Sequence, residues 1–489
     1  GVTLTIEPGA SLFFAPDGGI TVQPEGTLRC EGSRYQRIRL GREPGSGDNW
    51  QGIRIAAPSG QDSDTGNQIS FTDFDAGDAQ GECIALRRSR LLLDQVTWAN
   101  SNDTVLELYR PKLEVRDCSF PSVPTSKAIQ GNTLRDDDFL LIRRNSFEAS
   151  SAYNDIIIFS GASRPGPILA AYDNVFNGAT DECFDLRDCD AHLEGNVFMR
   201  VHLFQPRNTI SNAIAIDDES NVTVVRNLFY DVDHALLLKN GATCTFENNT
   251  VVGATVAAIS FDEPLRDNTL PGGRLDMDSN IFLDCETVFA HSVSVPPEED
   301  PVISGHRNTL PGQYHGIGEE NLSLDPFLAL AGAEPQPKWN WSLLPGSPAR
   351  GSGQNGLDHG ALIPRGVVAS GIPAPTSSFT RATLKVDGPG ITDYRYRLVA
   401  DGLERRAQRR SARDREWRLG GAAGVVDAAG VVGAAGVVGR VRSDERVVRC
   451  VLGFGSLHQS SELVDAAPFV VAVIVTHDQI TGSDHELRA

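Results

Sequence analysis

Residues 211–253 read SNAIAIDDESNVTVVRNLFYDVDHALLLKNGATCTFENNTVVG, and this stretch holds one short pattern twice. A small apolar strand (Ala213, Ile214, Ile216) is followed by a polar corner at Asp217–Ser220. A second alternating strand (Val222, Val224) then leads to Asn227 and an apolar pair around Phe229. The second copy runs Ala235, Leu236, Leu238, a corner at Lys239–Gly241, then Cys244, Phe246, Asn249 and Val251. Phe229 and Val251 are 22 residues apart. A strand–helix–strand crossover needs ~30 residues or more, and alternation with period two marks strands throughout. Three short strands and three corners make one coil of a parallel β-helix, so the pattern should recur.

It does. LLIRRNSF (Asn145, Phe147), LAAYDNVF (Asn174, Phe176), AHLEGNVF (Asn196, Phe198), VTVVRNLF and LDMDSNIF (Asn280, Phe282) share one template. Looser copies end at Phe74, Trp98 and Phe120, and a last one, ISGHRNTL, carries Asn308 and Leu310. Successive anchors are 22 to 31 residues apart, the tolerance of a solenoid whose coils touch only their neighbours. Stacked coils bring equivalent side chains within ~4.8 Å, so the Asn column reads as an amide ladder and the aromatic column as a core stack. Asn also tolerates the left-handed backbone of a tight corner. The N-terminal PGASL and PEGTL turns, RIRL and NWQGIRI read as leading coils. With neither an initiator Met nor an apolar leader at Gly1, the chain reads as a fragment or mature form.

The expected organisation is a right-handed parallel β-helix of about a dozen coils over residues 1–310 and a Pro/Gly-rich closing segment over 311–369. A linker and the start of a small β-sandwich follow at 370–398, then a low-complexity tail at 399–489. The 91 tail residues hold twelve Arg, twelve acidic residues and no Lys, so the net charge of −20 belongs almost wholly to the β-helix. So acidic a surface argues against nucleic acid as a partner. No apolar run reaches the ~20 residues of a membrane span. The eight Cys include no CxxC pair; Cys118 fills an Asn-ladder slot, Cys244 an inward strand slot, and a Cys183–Cys189 bridge stays open.

LTIEPGASL, the W-x-G-I at Trp50, the Asn-x-Phe coils, LDPF (Leu324–Phe327), SPA (Ser347–Ala349) and DHGA (Asp358–Ala361) together resemble bacterial secreted β-helix proteins of the pectate-lyase-like superfamily over residues 1–365. The resemblance implies export to the cell exterior or surface, and a polysaccharide or surface glycan as partner, as one module of a multidomain chain, itself monomeric. It does not imply one activity, because the fold hosts lyases, hydrolases, binding proteins and adhesins.

Substrate in such proteins lies along one sheet, here CFDLRD, AIAIDD, ALLLKN and AISFDE. Alternation sends Phe184, Leu186, Ile214, Ile216, Leu236 and Leu238 inward and leaves outward columns of Arg187, Asp217, Lys239, Asp262 and of Asp185, Ala215, Leu237, Ser260. Preceding corners add Asp181, Glu182, Asp231, Asp233 and His234. Two readings stay open. In a Ca²⁺-dependent lyase, Lys239 or Arg187 is the base, Asp185, Asp217 and Asp233 hold the ion, and Asp185, Asp217, Asp262 and His234 contact substrate. In a binding or structural module, the same residues form an alternating-charge ladder on an exposed sheet. A glycoside hydrolase would need facing carboxylates, for which Asp185, Asp217 and Asp218 are the only crowd. His192 and His202 read as isolated surface residues, and no further cofactor is implied.

The break after Leu398 has a reading of its own, a shift of frame. One set of codons compatible with Gly402–Arg406, GGC CTG GAG CGC CGA, read one base later, gives Ala-Trp-Ser-Ala-Glu, which resembles the sandwich sequence expected there. Resequencing is expected to find the shift, and independent reads supporting the present frame would refute it.

Overall fold

The computed structural model describes residues 1–362 except 152–153, 203–210, 262–271, 291–300 and 330–340, and beyond them only the backbone of several strands. Every third strand in chain order joins the same sheet, giving parallel sheets of 12, 11 and 11 strands. The first runs from Thr3–Ile6 to Val302–His306, the second from Ser11–Phe14 to Ile281–Leu283, and the third from Ile20–Val22 to Phe289–Ala290. Registers repeat without slip through the middle coils: Leu140 faces Leu169, Leu169 faces Ala191 and Ala191 faces Val222. Parallel strands, in-register stacking and three strands per coil make this region a parallel β-helix.

The interior is apolar and organised in columns. An aromatic stack runs Phe14, Trp50, Phe74, Trp98, Phe120, Phe147, Phe176, Phe198, Phe229, Phe246 and Phe282, with successive centroids 4.4–6.2 Å apart. Trp50 and Phe14 extend it into coils that carry no Asn-x-Phe motif. At one coil Phe246, from the preceding strand, takes the place left by Val251. Cys183, Cys189 and Cys244 are buried free thiols of this core, so the two closest in sequence form no bridge.

The Asn ladder is continuous. Each Nδ2 donates to the next Oδ1, from Asn145 to Asn174 (2.9 Å), Asn196 (2.9 Å), Asn227 (3.0 Å), Asn249 (3.1 Å), Asn280 (3.1 Å) and Asn308 (2.8 Å). Each Oδ1 also accepts the backbone N–H of the Asn before it, so one side chain satisfies two buried donors. Cys118 sits one coil earlier as expected: its N–H donates to Asn145 and its sulfur accepts from Val96.

Two expectations need correction. The left-handed residue is the one before each Asn: Arg144, Asp173, Arg226, Asn248, Ser279 and Arg307 have φ of 50–60°. A non-glycine residue there costs ~1–2 kcal/mol. The turn is held because each such N–H donates to a carbonyl of the next coil, Arg144 to Tyr172 (2.8 Å) and Asn248 to Asp278 (2.9 Å) among them. The ladder also does not stop at Asn308. Asn321, from the closing segment, supplies a further step by accepting from Asn308 N (2.9 Å) and donating to Gly305 O (2.9 Å).

The closing segment therefore has two parts. A short 3-10 turn, Gly312–Ile317, lies over the last coil and sets Tyr314 edge-on to Phe289 at 5.2 Å. The segment then folds back along the outer face of the second sheet, where Trp341 and Ala361 pack with Val197, Met199, Leu228 and Val252. Covering the open end and an apolar flank removes the edge liability of a solenoid.

The chain divides into two compact units, built on Gly1–Ile363 and on Pro364–Gln479. In the second, backbone strands Thr383–Asp387 and Asp393–Ala400 belong to two separate sheets with antiparallel pairings. The linker at 371–382 and most of the tail from Val399 lie outside the described residues.

Asn227→Ala removes the acceptor of two buried donors and the donor to Leu193 O and Asn249. A loss of roughly 2–4 kcal/mol is expected by denaturant unfolding, against about 1 kcal/mol for Asn321→Ala at the half-buried end.

Candidate functional site

The third sheet positions the candidate residues through strands Ile157–Ala162, Glu182–Cys189, Asn212–Asp217 and His234–Leu238. Its registers place Phe184, Ile214 and Leu236 in one inward column, Asp185, Ala215 and Leu237 in an outward one, and Arg187 beside Asp217. Phe184, Leu186, Ile214, Ile216, Leu236 and Leu238 join the apolar core, as alternation reads them.

The outward face is nonetheless not an exposed sheet. Asp185 is 2% exposed, Lys239 3% and Asp217 8%, so their charges need partners. Arg187 forks onto Asp185, Nε to Oδ1 at 3.1 Å and Nη2 to Oδ2 at 2.5 Å. Asp217 lies 3.5 Å from Lys239 Nζ and accepts from Asn240 Nδ2 (2.6 Å) and the Asp218 N–H (2.8 Å). Burial holds the Asp185 carboxyl above its ordinary range, with Arg187 opposing that rise. Hydrogen bonding to Asp185 in turn raises the Arg187 guanidinium above its usual value, which opposes loss of its proton.

The proposed ion ligands do not converge. Asp233 precedes His234, which faces Asn212, whereas Asp217 ends that neighbouring strand. Asp233 is thus six residues along the strand direction from the level of Lys239, about 20 Å away, too far to share an ion with Asp217. It accepts instead from Thr255 Oγ1 (2.7 Å) and meets His202 Nδ1 at 3.0 Å. Asp262 lies outside the described residues.

His234 is turned inward at the strand entry, 3% exposed, and its Nδ1–H donates to Asn212 Oδ1 at 2.9 Å. Burial drops its pKa to about 4, with Asp233 opposing, so the neutral ring is favoured, and Nε2 is buried with no hydrogen-bond partner among the described residues. Asn212 Nδ2 donates onward to Glu182 Oε1 (2.9 Å). Glu182, Asp181 and Asp155 bring carboxylate oxygens within 4.8 Å of one another. Lys127 Nζ is 3.5 Å from Asp155. Burial first, and the Asp181 and Asp155 charges after it, push the Glu182 carboxyl well above the usual carboxylate range. The carboxylate crowd is therefore this trio rather than Asp185, Asp217 and Asp218.

Reading strand columns alone missed Asp155. The signal was a polar pair just ahead of each apolar strand: Asn154-Asp155, Asp181-Glu182, Ser211-Asn212 and Asp233-His234. Crowding of three carboxylates disfavours charge at Glu182, and a proton there or a hard cation relieves it. Carboxylate oxygens suit Ca²⁺ by donor type, although Lys127 and Asn212 already engage two of the three.

The other histidines also differ from expectation. His192 is buried and bonded through Nε2 to Glu194 (2.9 Å), which Arg226 also engages. His202 bridges Asp231 (3.1 Å) and Asp233 (3.0 Å).

No protein-family model and no curated protein matches the chain. Among solved structures it is similar to a mutant tailspike protein of E. coli bacteriophage HK620 in complex with a pentasaccharide, at 14% identity over 63% of this chain and 64% of that chain, TM-score 0.35. A rhamnogalacturonan lyase matches at 12% identity over 69% and 88% of the two chains (TM-score 0.29 for a PL6 alginate lyase, which covers 66% and 53% at 12% identity, and 0.27 for the former). The chain thus spans under two thirds of the tailspike's length. Overlaps this distant carry no argument about chemistry. No helix among the described residues is long and apolar enough to cross a membrane.

Opposite titrations are expected for two histidines. Hydrogen bonding to Asp233 is the first cause raising the His202 pKa, so its stabilising contribution is present below 6.5 and lost as pH rises through the raised value. His234 is depressed, so its contribution is present above 6.5 and lost as pH falls toward about 4. Ring NMR titrations of the two should fall on opposite sides of 6.5. The three parallel registers, not any likeness, make the chain a parallel β-helix.

Proposed function

We propose that this chain is a glycan-facing β-helix module of a larger extracellular or cell-surface protein, with its outward charges acting as structure. One observation carries this reading: both cations of the outward column are committed to neighbouring carboxylates, Arg187 to Asp185 and Lys239 to Asp217. A lyase base has to be free to lose its proton and reach substrate. Here the cation with a perturbed proton affinity, Arg187, holds its proton more tightly than usual. The family resemblance in LTIEPGASL and DHGA supports a polysaccharide or surface glycan as the ligand class, and acidic glycans with bridging Ca²⁺ suit so acidic a chain.

A second reading rests on Glu182. An acid with a raised pKa beside two further carboxylates is the arrangement that hydrolyses glycosidic bonds by general acid catalysis. Asp155 or Asp181 would serve as the second carboxylate.

The test is a panel of neutral and acidic polysaccharides, with and without Ca²⁺, following retention, unsaturated product and reducing ends. Retention without product is expected. Ca²⁺-dependent unsaturated product that vanishes in Lys239→Ala would overturn the module reading in favour of a lyase. Reducing ends that vanish in Glu182→Gln would replace it with a hydrolase.

A further inference from the structure

The DHGA motif of the closing segment is built into a contact that the glycan reading does not use. Trp341 sits edge-on to Tyr230 (5.3 Å) and, with Ala361, covers Val197, Met199, Leu228 and Val252. Polar staples hold this strap at one place. Asn248 Nδ2 donates to Asp358 O (2.9 Å), Gly360 N to Ser279 O (2.8 Å) and Ala361 N to Thr250 Oγ1 (3.0 Å). Gly360 has φ of +83°, and an added Cβ would meet Thr250 Oγ1 at 2.6 Å, so only glycine permits this approach.

His359 lies at the centre, buried, and joins strap to coil. Its Nδ1 meets Thr309 Oγ1 at 2.9 Å and its Nε2 meets Ser352 Oγ at 3.2 Å. Ser352 spends its own proton on Pro348 O (2.8 Å), so it accepts from Nε2–H. That leaves Nδ1 as the acceptor for the Thr309 hydroxyl, an arrangement only the neutral ring can make.

We propose that His359 is a proton-operated latch: the neutral imidazole fastens the strap to the coil turns, and protonation at Nδ1 releases residues 351–362 and uncovers the apolar flank beneath. Protonation turns the Thr309 contact from acceptor to donor and places a charge in a buried site. The charged groups facing the ring are Asp278 and Arg307 from the coil turns and Asp358 from the strap. Burial is the largest influence and lowers the pKa below the ordinary 6.5. Ser352 opposes this, as do Asp278 and Asp358, while Arg307 adds to the lowering. The docked strap therefore excludes the proton, its hold is complete above 6.5, and it weakens as pH falls below that.

The experiment is site-resolved hydrogen exchange on the full chain at pH 7.5 and 5, corrected for intrinsic rates. Protection at Gly360 and Ala361 should fall about threefold or more, while the ladder amides of Asn227 and Asn249 hold. His359→Gln should abolish the pH dependence at those two amides, and His234→Gln should keep it. If the Gln variant does not fold, the wild-type comparison still decides. Unchanged protection at Gly360 and Ala361, or an equal fall across the ladder amides, overturns the latch. So does a pH dependence that survives in His359→Gln.

Discussion

Every coil must turn sharply at the same corner, and the backbone donors buried there have no water to bond. The Asn column answers that constraint. One amide accepts two donors from the coil before it, then donates on to a carbonyl and the next amide, so each coil's turn is completed by its neighbour. This mutual dependence also permits Arg, Asp and Ser to hold left-handed backbone in front of the Asn. The aromatic stack fills the space inside the turn, but it tolerates exchange of Trp for Phe and even a change of strand, as at Phe246. The ladder admits one exchange among its described members, Cys118, where sulfur takes the acceptor role.

Much of this was legible in sequence because a solenoid writes its geometry as a period. The spacing of Asn and Phe gave the coil, and alternation gave the inward and outward faces of Phe184–Arg187 and Ile214–Asp217. What period could not show was burial of the outward face. Asp185, Asp217 and Lys239 alternate like surface residues, yet each is buried, and alternation alone separates inward from outward without telling buried from exposed. The Asp155–Glu182–Asn212–His234 column was half legible, since Glu182 and His234 read as corner residues while Asp155 and Asn212 drew no notice. Its members share no residue type, so only register links them. Asn321 escaped notice because it follows Asn308 by a spacing shorter than any coil.

The two polar systems of the third sheet have different electrostatic logic. On the outward face, opposite charges meet and neutralise one another, which costs desolvation and returns attraction. At the strand entry, carboxylates are gathered, and burial followed by the Asp181 and Asp155 charges pushes the Glu182 carboxyl well above its usual range. A protein that only needed a stable sheet could dispense with the second. Its presence within one coil of the ladder of paired charges is why hydrolysis remains the competing account of this molecule.

If the outward charges hold each other rather than a substrate, Asp217 and Lys239 depend on one another for stability and not for glycan retention. A double-mutant cycle on Asp217→Asn and Lys239→Met, read by unfolding and by glycan retention, tests it most directly. The account predicts that each single change costs stability, that the two changes couple by about 1 kcal/mol or more, and that retention survives in the double variant. Additive effects together with loss of retention or turnover would contradict it.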